Sequence, residues 1–281
     1  MKNIIDDTNI KLLNLACGSK VSAQGNWTNI DFSSPIKGVM EMNILKRLNF
    51  PDNSFSVVYS AQFIEHLTLE QAENVLNEVN RVLKPGGVLR LVTPDLEELT
   101  NSYLNALKTL KNSKNSFDIN KYNWIRIETF DQMVRDYSGG EMKPYIYSVD
   151  KQMQSYLNER MGLSLYPVTA SINKTQHFNV SCILGLLKKI PKRLFNLTSS
   201  LFETKYSKVG RFRQCGEIHR YLHDIYSISN LLSKTGFSAI SRVNPYLSKI
   251  PDWQTYELDI VDGKVVSPLA LYVEAKKPMV P

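Results

Sequence analysis

The chain has 281 residues, 43% hydrophobic and 22% charged, the make-up of a folded globular protein long enough to bury a sizeable core. No apolar run reaches the roughly 18–20 residues of a bilayer span, and three scattered cysteines (Cys17, Cys182, Cys215) argue against a disulfide framework and fit a reducing cytoplasm. The net charge of +7 is local: nine basic residues between Lys174 and Arg213 face only Glu203, so that stretch carries +8 and the rest sums to −1.

Leu12 to Cys17 has some likeness to a lipoprotein cleavage site, but Asp6 and Asp7 break the apolar stretch that such a signal needs. Residues 11–16 instead predict a short buried strand running into Cys17-Gly18-Ser19. A second strand is expected over Trp27 to Asp31 and a third near Val39 to Ile44. A fourth is expected from Phe55 to Tyr59, after the turn Pro51-Asp52-Asn53. Leu69, Ala72, Val75, Leu76, Val79 and Leu83 recur at helical spacing, and Thr68 with Gln71 has the form of a capping box. Lys84-Pro85-Gly86-Gly87 stops that helix before a fifth strand over Val88 to Val92.

After Pro94 the rhythm changes. Helix-like stretches are expected over 96–112, 124–137, 148–160 and 179–198, with no regular strand alternation. A core helix returns at Ile225 to Thr235, ended by Gly236, and two last strands are expected at Phe237 to Val243 and Leu269 to Ala275. This order predicts an α/β fold: a mainly parallel seven-stranded, Rossmann-like sheet with a shortened first helix and a large helical insertion. The core is expected over 1–95 and 218–281, and the insertion, acting as an acceptor-binding lid, over 96–217.

Open parallel sheets bind ligands outside the carboxyl ends of their strands, so residues at those ends carry the chemistry. Asn14-Leu15-Ala16-Cys17-Gly18-Ser19 offers small residues that let a ligand approach the backbone. Asp31 closes the second strand, where a carboxylate accepts both hydroxyls of a ribose. Asn43 and Ile44 follow the third strand, an amide for the edge of an adenine and an apolar cover for its face. A nicotinamide dehydrogenase would show Gly-x-Gly-x-x-Gly, and Gly18 has no such partners.

The string from Leu48 to Leu67, through Phe55-Ser56-Val57-Val58-Tyr59-Ser60-Ala61-Gln62-Phe63-Ile64-Glu65-His66-Leu67, closely resembles class I S-adenosylmethionine-dependent methyltransferases of the type 11 branch. The helix after it and Leu83-Lys84-Pro85-Gly86-Gly87 match that family as well, and the likeness returns over about 219–275. The resemblance implies S-adenosyl-L-methionine as cofactor. Ala16, Cys17 and Gly18 would lie along its methionine part, with Asn14 and Ser19 also among the cofactor-binding residues, Asp31 on the ribose and Asn43 and Ile44 on the adenine. Ser60, Ala61 and Gln62 would border the sulfonium side, with His66 near the cofactor. Asn14 and Asn43 stand where the family usually has Asp. Ten residues between Ala16 and Trp27 leave room for a helix of a turn or two at most. In that respect the chain is similar to methyltransferases encoded with polysaccharide assembly enzymes.

Methyl transfer to a hydroxyl also needs somewhere for the proton to go, and histidine suits that task. His219, in Cys215-Gly216-Glu217-Ile218-His219-Arg220-Tyr221-Leu222-His223-Asp224, is the first candidate base, with His66 and Asp95 behind it. His219 and Asp224 have a second reading as a structural hydrogen bond or helix cap. Arg220, Tyr221 and Arg135 are the candidate acceptor ligands. Arg135 lies before Gly139-Gly140, a segment readable either as a hinged lid or as a helix with a glycine C-cap.

The apolar and basic segment 186–195 suits peripheral contact with the inner face of an anionic membrane, a phosphorylated saccharide, or plain solvent exposure. No nucleic-acid recognition motif accompanies the charge. These features point to O-methylation of a sugar or glycan-like acceptor in surface polysaccharide or secondary metabolism. A methyltransferase of protein or nucleic acid, or an inactive cofactor-binding scaffold, are the alternatives.

Overall fold

The computed structural model describes residues 11–22, 26–165 and 204–279. The strands are β1 (Leu12–Leu15), β2 (Trp27–Asp31), β3 (Val39–Glu41), β4 (Phe55–Ala61), β5 (Leu83–Pro94), β6 (Ser238–Val243), β7 (Ile260–Val261), β8 (Lys264–Val265) and β9 (Ala270–Lys276). The α-helices are α1 (Leu69–Val82), α2 (Leu96–Leu110), α3 (Ser116–Val134), α4 (Met142–Ser148), α5 (Lys151–Met161), α6 (Lys205–Arg213) and α7 (Ile225–Lys234).

Seven strands form one sheet in the order β3-β2-β1-β4-β5-β9-β6, a Rossmann-like α/β arrangement. The first five run parallel, and β9 lies antiparallel between β5 and β6. β1 pairs with both β2 and β4, so the strand order reverses beside it. A reversal of this kind opens a crevice at the strand tips. All four residues of β1 are buried, as a central parallel strand covered on both faces requires.

One face of the sheet, with Leu13, Val58, Leu89 and Val273, packs on α1 and α7 through Val75, Leu76, Ile228 and Leu232. The other face, with Leu12, Val57, Tyr59 and Tyr272, has an unusual cover. Parallel crossovers normally supply helices there. Among the described residues between β1 and β2 there is none. The segment between β6 and β9 takes its place, laying Ile250, Trp253, Tyr256 and Leu258 on the exposed apolar strands. The ring of Trp27 meets Trp253 and Tyr256 edge-on at centroid distances of 6.4 and 5.3 Å.

Arg90 stands fully buried in that second layer. Its guanidinium donates to Asp259 and Glu274 at 2.7 Å each and to the carbonyls of Leu247 and Asn244. Asp259 also accepts from the Tyr59 hydroxyl and Trp253 Nε1. The network ties β4, β5 and β9 to the covering segment.

The capping box at α1 forms: Thr68 accepts from Gln71 N while Gln71 accepts from Thr68 N. Thr68→Ala is expected to cost about 1 kcal/mol, read as a lower midpoint in urea, since the Gln71 amide then loses its partner. An unchanged midpoint would show that water serves the helix end equally well. β5 begins earlier than the expected strand, passing through Pro85-Gly86-Gly87 with a register shift against β4. Gly87 is required by close approach, since a Cβ would stand 2.8 Å from the Lys84 carbonyl oxygen.

Between β5 and α7 the described helices α2 to α5 build their own core around Trp124, Ile125, Met142, Ile146, Met153 and Leu157. Three boundaries differ from the sequence expectation. α3 starts at Ser116 rather than 124, capped by Asn115. The helix expected over 148–160 starts later, at Lys151, where α5 is capped by Asp150. Gly139 and Gly140 do not cap a helix: α3 has already ended at Val134, and Arg135 is extended. The two glycines form a left-handed turn around the Asp131 carboxylate, where a side chain on Gly140 would collide with it. The helix expected over 179–198, the segment 186–195 and most of the basic stretch 174–213 lie outside the described residues.

Candidate functional site

The tips of β1, β2 and β4 meet at the crevice. Ala16 leaves β1 with φ +55°, a left-handed conformation that an L side chain adopts at a cost of order 1 kcal/mol. Gly18 follows with φ +54°, and the space its Cβ would fill is open within 4 Å. The amide of Cys17 donates to the Ile30 carbonyl at 3.0 Å and that of Gly18 to Asp31 Oδ2 at 2.7 Å. Phe32 N donates to Asp31 Oδ1 at 2.7 Å. Each carboxylate oxygen thus holds one amide and keeps capacity for another donor.

At the next tip, the Asp31 carbonyl accepts from Met42 N and draws Asn43 alongside. Asn43 Oδ1 accepts from Leu45 N at 3.1 Å, which leaves its amide hydrogens to face outward partners. Ile44 is buried. On β4, Ser60 is buried and its hydroxyl finds no hydrogen-bond partner. Ala61 is half-buried, and Gln62 turns away with φ +54° while its amide donates to the Val92 carbonyl. Ser19 is exposed beside Gly18.

Two neighbours have other employment. Asn14 is 1% exposed, and its amide donates to the Lys20 carbonyl and Asn29 Oδ1, closing the loop instead of reaching a ligand. Cys17 is buried, and desolvation first, then the charge of Asp31, pushes its thiol up to about 11, so it stays protonated.

Beyond β4, the loop 214–223 folds back over the tip. The Glu65 carbonyl accepts from Arg220 N at 2.7 Å and from Tyr221 N at 3.2 Å, and His219 N donates to the Gln132 carbonyl. This brings His219 against His66, with ring centroids 4.8 Å apart at 74°. Burial, then His66 and Arg135, pushes His219 down to about 3, so its ring is neutral with a free lone pair. Burial lowers His66 as well, and its Nδ1 lies 3.2 Å from the Ile218 carbonyl. Glu65 is fully buried, accepts from Thr93 through one oxygen and has no partner for the other. Desolvation raises its carboxyl to about 7. Glu65 is absent from the sequence-derived site residues: the Glu-His pair is visible in the string, but the orphaned carboxylate depends on a loop more than 150 residues away.

The remaining candidates separate from the acceptor side. Asp95, one candidate base, is instead the N-cap of α2, accepting from Glu97 N and Glu98 N, and pairs with Arg242. These bonds leave it 1% exposed. Arg135 is also held inside, in ion pairs with Asp131 at 3.8 Å and Glu217 at 3.2 Å. It fastens the end of α3 to the loop bearing His219 and so positions that loop. Arg220 donates to the Arg213 carbonyl and Gln214 Oε1 at the end of α6. Tyr221 is partly exposed, with its ring 4.8 Å from His223. Asp224 caps α7 through Ser227, which settles its role as structural.

His223 is 1% exposed, and burial pushes it down to about 4 from an ordinary 6.5. A buried neutral imidazole adds no pH dependence above 6.5, where the unfolded ring is neutral too. As pH falls from 6.5 to 4, the unfolded chain gains a proton that the folded chain refuses. Stability is therefore expected to drop by about 3 kcal/mol across that window. His223→Phe should remove this component from urea midpoints measured between pH 7 and 4, and parallel curves for the two proteins would contradict it.

Residues 16–91 match the family model described as a methyltransferase domain. The match spans the tips of β1, β2 and β4 and the parallel core behind them. This stretch is therefore similar to a methyltransferase domain. S-adenosyl-L-methionine is the cofactor that the sequence resemblance implies. The crevice fits it: room at Gly18, acceptor capacity on Asp31 and an unpartnered Ser60 hydroxyl lie at adjacent strand ends. Among solved structures, the chain is similar to Haemonchus contortus phosphoethanolamine N-methyltransferase 2 in complex with S-adenosyl-L-methionine. Identity is 12%, over 97% of this chain and 50% of that one, with a TM-score of 0.37. It is also similar to a SAM-dependent methyltransferase from Archaeoglobus fulgidus, at 11% identity over 96% of this chain and 87% of that one, TM-score 0.39. The CurJ carbon methyltransferase matches at 11% identity over 99% of this chain and 51% of that one, TM-score 0.39. The chain spans about half the length, or less, of the first structures it matches. No curated protein matches it. Among the described residues, no helix is long and apolar enough to cross a membrane.

Proposed function

We propose that this chain transfers the methyl group of S-adenosylmethionine to a hydroxyl of a sugar or glycan-like acceptor, plain or phosphorylated, in polysaccharide or secondary metabolite assembly. When bound, the cofactor supplies a methyl carbon already activated by its positive sulfur. The chain's own task is to position the partners, since alignment contributes most of such a displacement. In this reading Asp31 grips the ribose, Asn43 and Ile44 hold the adenine, and Ala16 to Ser19 follow the methionine part. Ser60 to Gln62 flank the sulfur.

The observation that carries the reading is the arrival of His219 and His66 beside Glu65 just past the β4 tip, on the side where the methyl group would project. A hydroxyl placed there meets buried, uncharged nitrogen lone pairs, and its proton leaves through this cluster. Arg135 serves by fixing the loop. Arg220 and Tyr221, on the rim, meet the polar acceptor. The segment 186–195 brings the enzyme to a membrane surface bearing lipid-linked glycans.

The test is incubation of the purified protein with methyl-labelled S-adenosylmethionine and separate fractions of glycan precursors, protein and RNA. Label in the glycan fraction, abolished by His219→Ala, is expected. Label confined to protein or RNA, or firm cofactor binding with no labelled fraction, would overturn the assignment.

A further inference from the structure

We propose that Glu65, His66 and His219 form a binding site for one divalent transition-metal ion, Zn2+ being the best match. Each offers one ligand atom, and the three atoms lie within 4.8 Å of one another. Two imidazoles and one carboxylate are the donor set of open zinc sites, which leave a position for water or substrate. Bonds of about 2.0–2.2 Å to a common ion need donors roughly 3.3 Å apart, so small side-chain rotations close the site.

Three observations favour an ion over simple packing. Glu65 is 0% exposed, yet one carboxylate oxygen has no hydrogen-bond partner, and a buried carboxylate left half-served is costly. His66 Nδ1 faces the Ile218 carbonyl, an outer contact that fixes a metal-binding imidazole with Nε2 as the ligand atom. The loop carrying His219 is pinned at both Glu65 and Gln132 by backbone bonds, so the third donor is held in advance. Of the cations nearby, Arg135 is matched by Asp131 and Glu217, while Lys20 faces Glu65 and competes for its charge.

The inference rests on reading this cluster as the acceptor side of the site. With the imidazole lone pairs taken up by an ion, a hydroxyl at the open position would give its proton to solvent rather than to the rings, and the ion would supply the polarisation that readies the oxygen for attack on the methyl carbon. The sulfur leaves with its bonding pair, and atoms and charge balance without any oxidant.

Titrating untagged, chelator-treated full-length protein with Co2+ and following its visible absorption reads the site directly, with Zn2+ displacement as a check. One equivalent is expected, with affinity reduced by at least about 30-fold in both His219→Ala and His66→Ala. Glu65→Asp, which keeps the carboxylate should Glu65→Gln fail to fold, is expected to bind more weakly than the parent. No absorption band in the parent protein, or equal affinity in the histidine variants, would overturn the inference. Calorimetry with S-adenosylhomocysteine on the same metal-free protein separates the two claims. Intact cofactor binding without Co2+ uptake removes the metal alone, whereas loss of cofactor binding removes the functional reading.

Discussion

Replacing Arg90 by methionine is expected to cost about 3–5 kcal/mol and to lower the thermal midpoint by on the order of 10 °C. Asp259 and Glu274 would remain buried without their cation, and two carbonyls, of Leu247 and Asn244, would lose their donor. Removing one partner of a buried ionic cluster is much worse than replacing the cluster whole. The triple variant Arg90→Met, Asp259→Asn, Glu274→Gln is therefore expected to recover part of the loss. Arg90→Lys should resemble methionine more than arginine, because one ammonium cannot reach two carboxylates and two carbonyls in a planar fork. A loss below about 1 kcal/mol in urea unfolding would show that the covering segment is held by its aromatic contacts alone.

The second large effect concerns Asp31. Asp31→Ala is expected to weaken binding of S-adenosylhomocysteine about 100-fold, the loss of two carboxylate hydrogen bonds at 1.5 kcal/mol or so each. Asp31→Asn, which keeps an acceptor but no charge, should lose about tenfold. Asp31 is half exposed at a strand end, and the two amides it serves can turn to water, so the fold should survive both changes. Calorimetry decides the matter, and affinity within threefold of the parent would remove Asp31 from the cofactor site.

Much of this architecture is legible in the sequence because local chemistry and tertiary structure agree. The apolar stripe of Leu69 to Leu83 and the Thr68 capping box mark α1 to within a residue. The buried run Leu12 to Leu15 marks the central strand. The place of Asp31 is legible because an acid closing a parallel strand lies at the strand tips whatever the rest of the chain does. The helical insertion is less legible. α3 shows little segregation of apolar from polar residues along its 19 positions, so its start at Ser116 rests on the Asn115 cap rather than on periodicity.

What could not be read depends on distant contacts. Asp95 looks catalytic at the end of β5 until Arg242 and the amides of α2 claim it. Arg135 looks like a ligand until Glu217, 82 positions later, arrives beside it. Arg90 gives no signal in a strand otherwise apolar, because its two carboxylates come from beyond residue 250. The cover over the second sheet face is equally hidden. It lies where a crossover helix after β1 would normally pack, and the sequence shows only a short link there.

The most direct measurement is a crystal structure of the protein soaked with S-adenosylhomocysteine. The ribose hydroxyls should lie within hydrogen-bond reach of Asp31, the adenine over Ile44, and the sulfur beside Ser60 to Gln62, pointing toward His219. A ligand lodged elsewhere, or bound with its sugar remote from Asp31, would contradict the placement of the methyl donor at these strand tips.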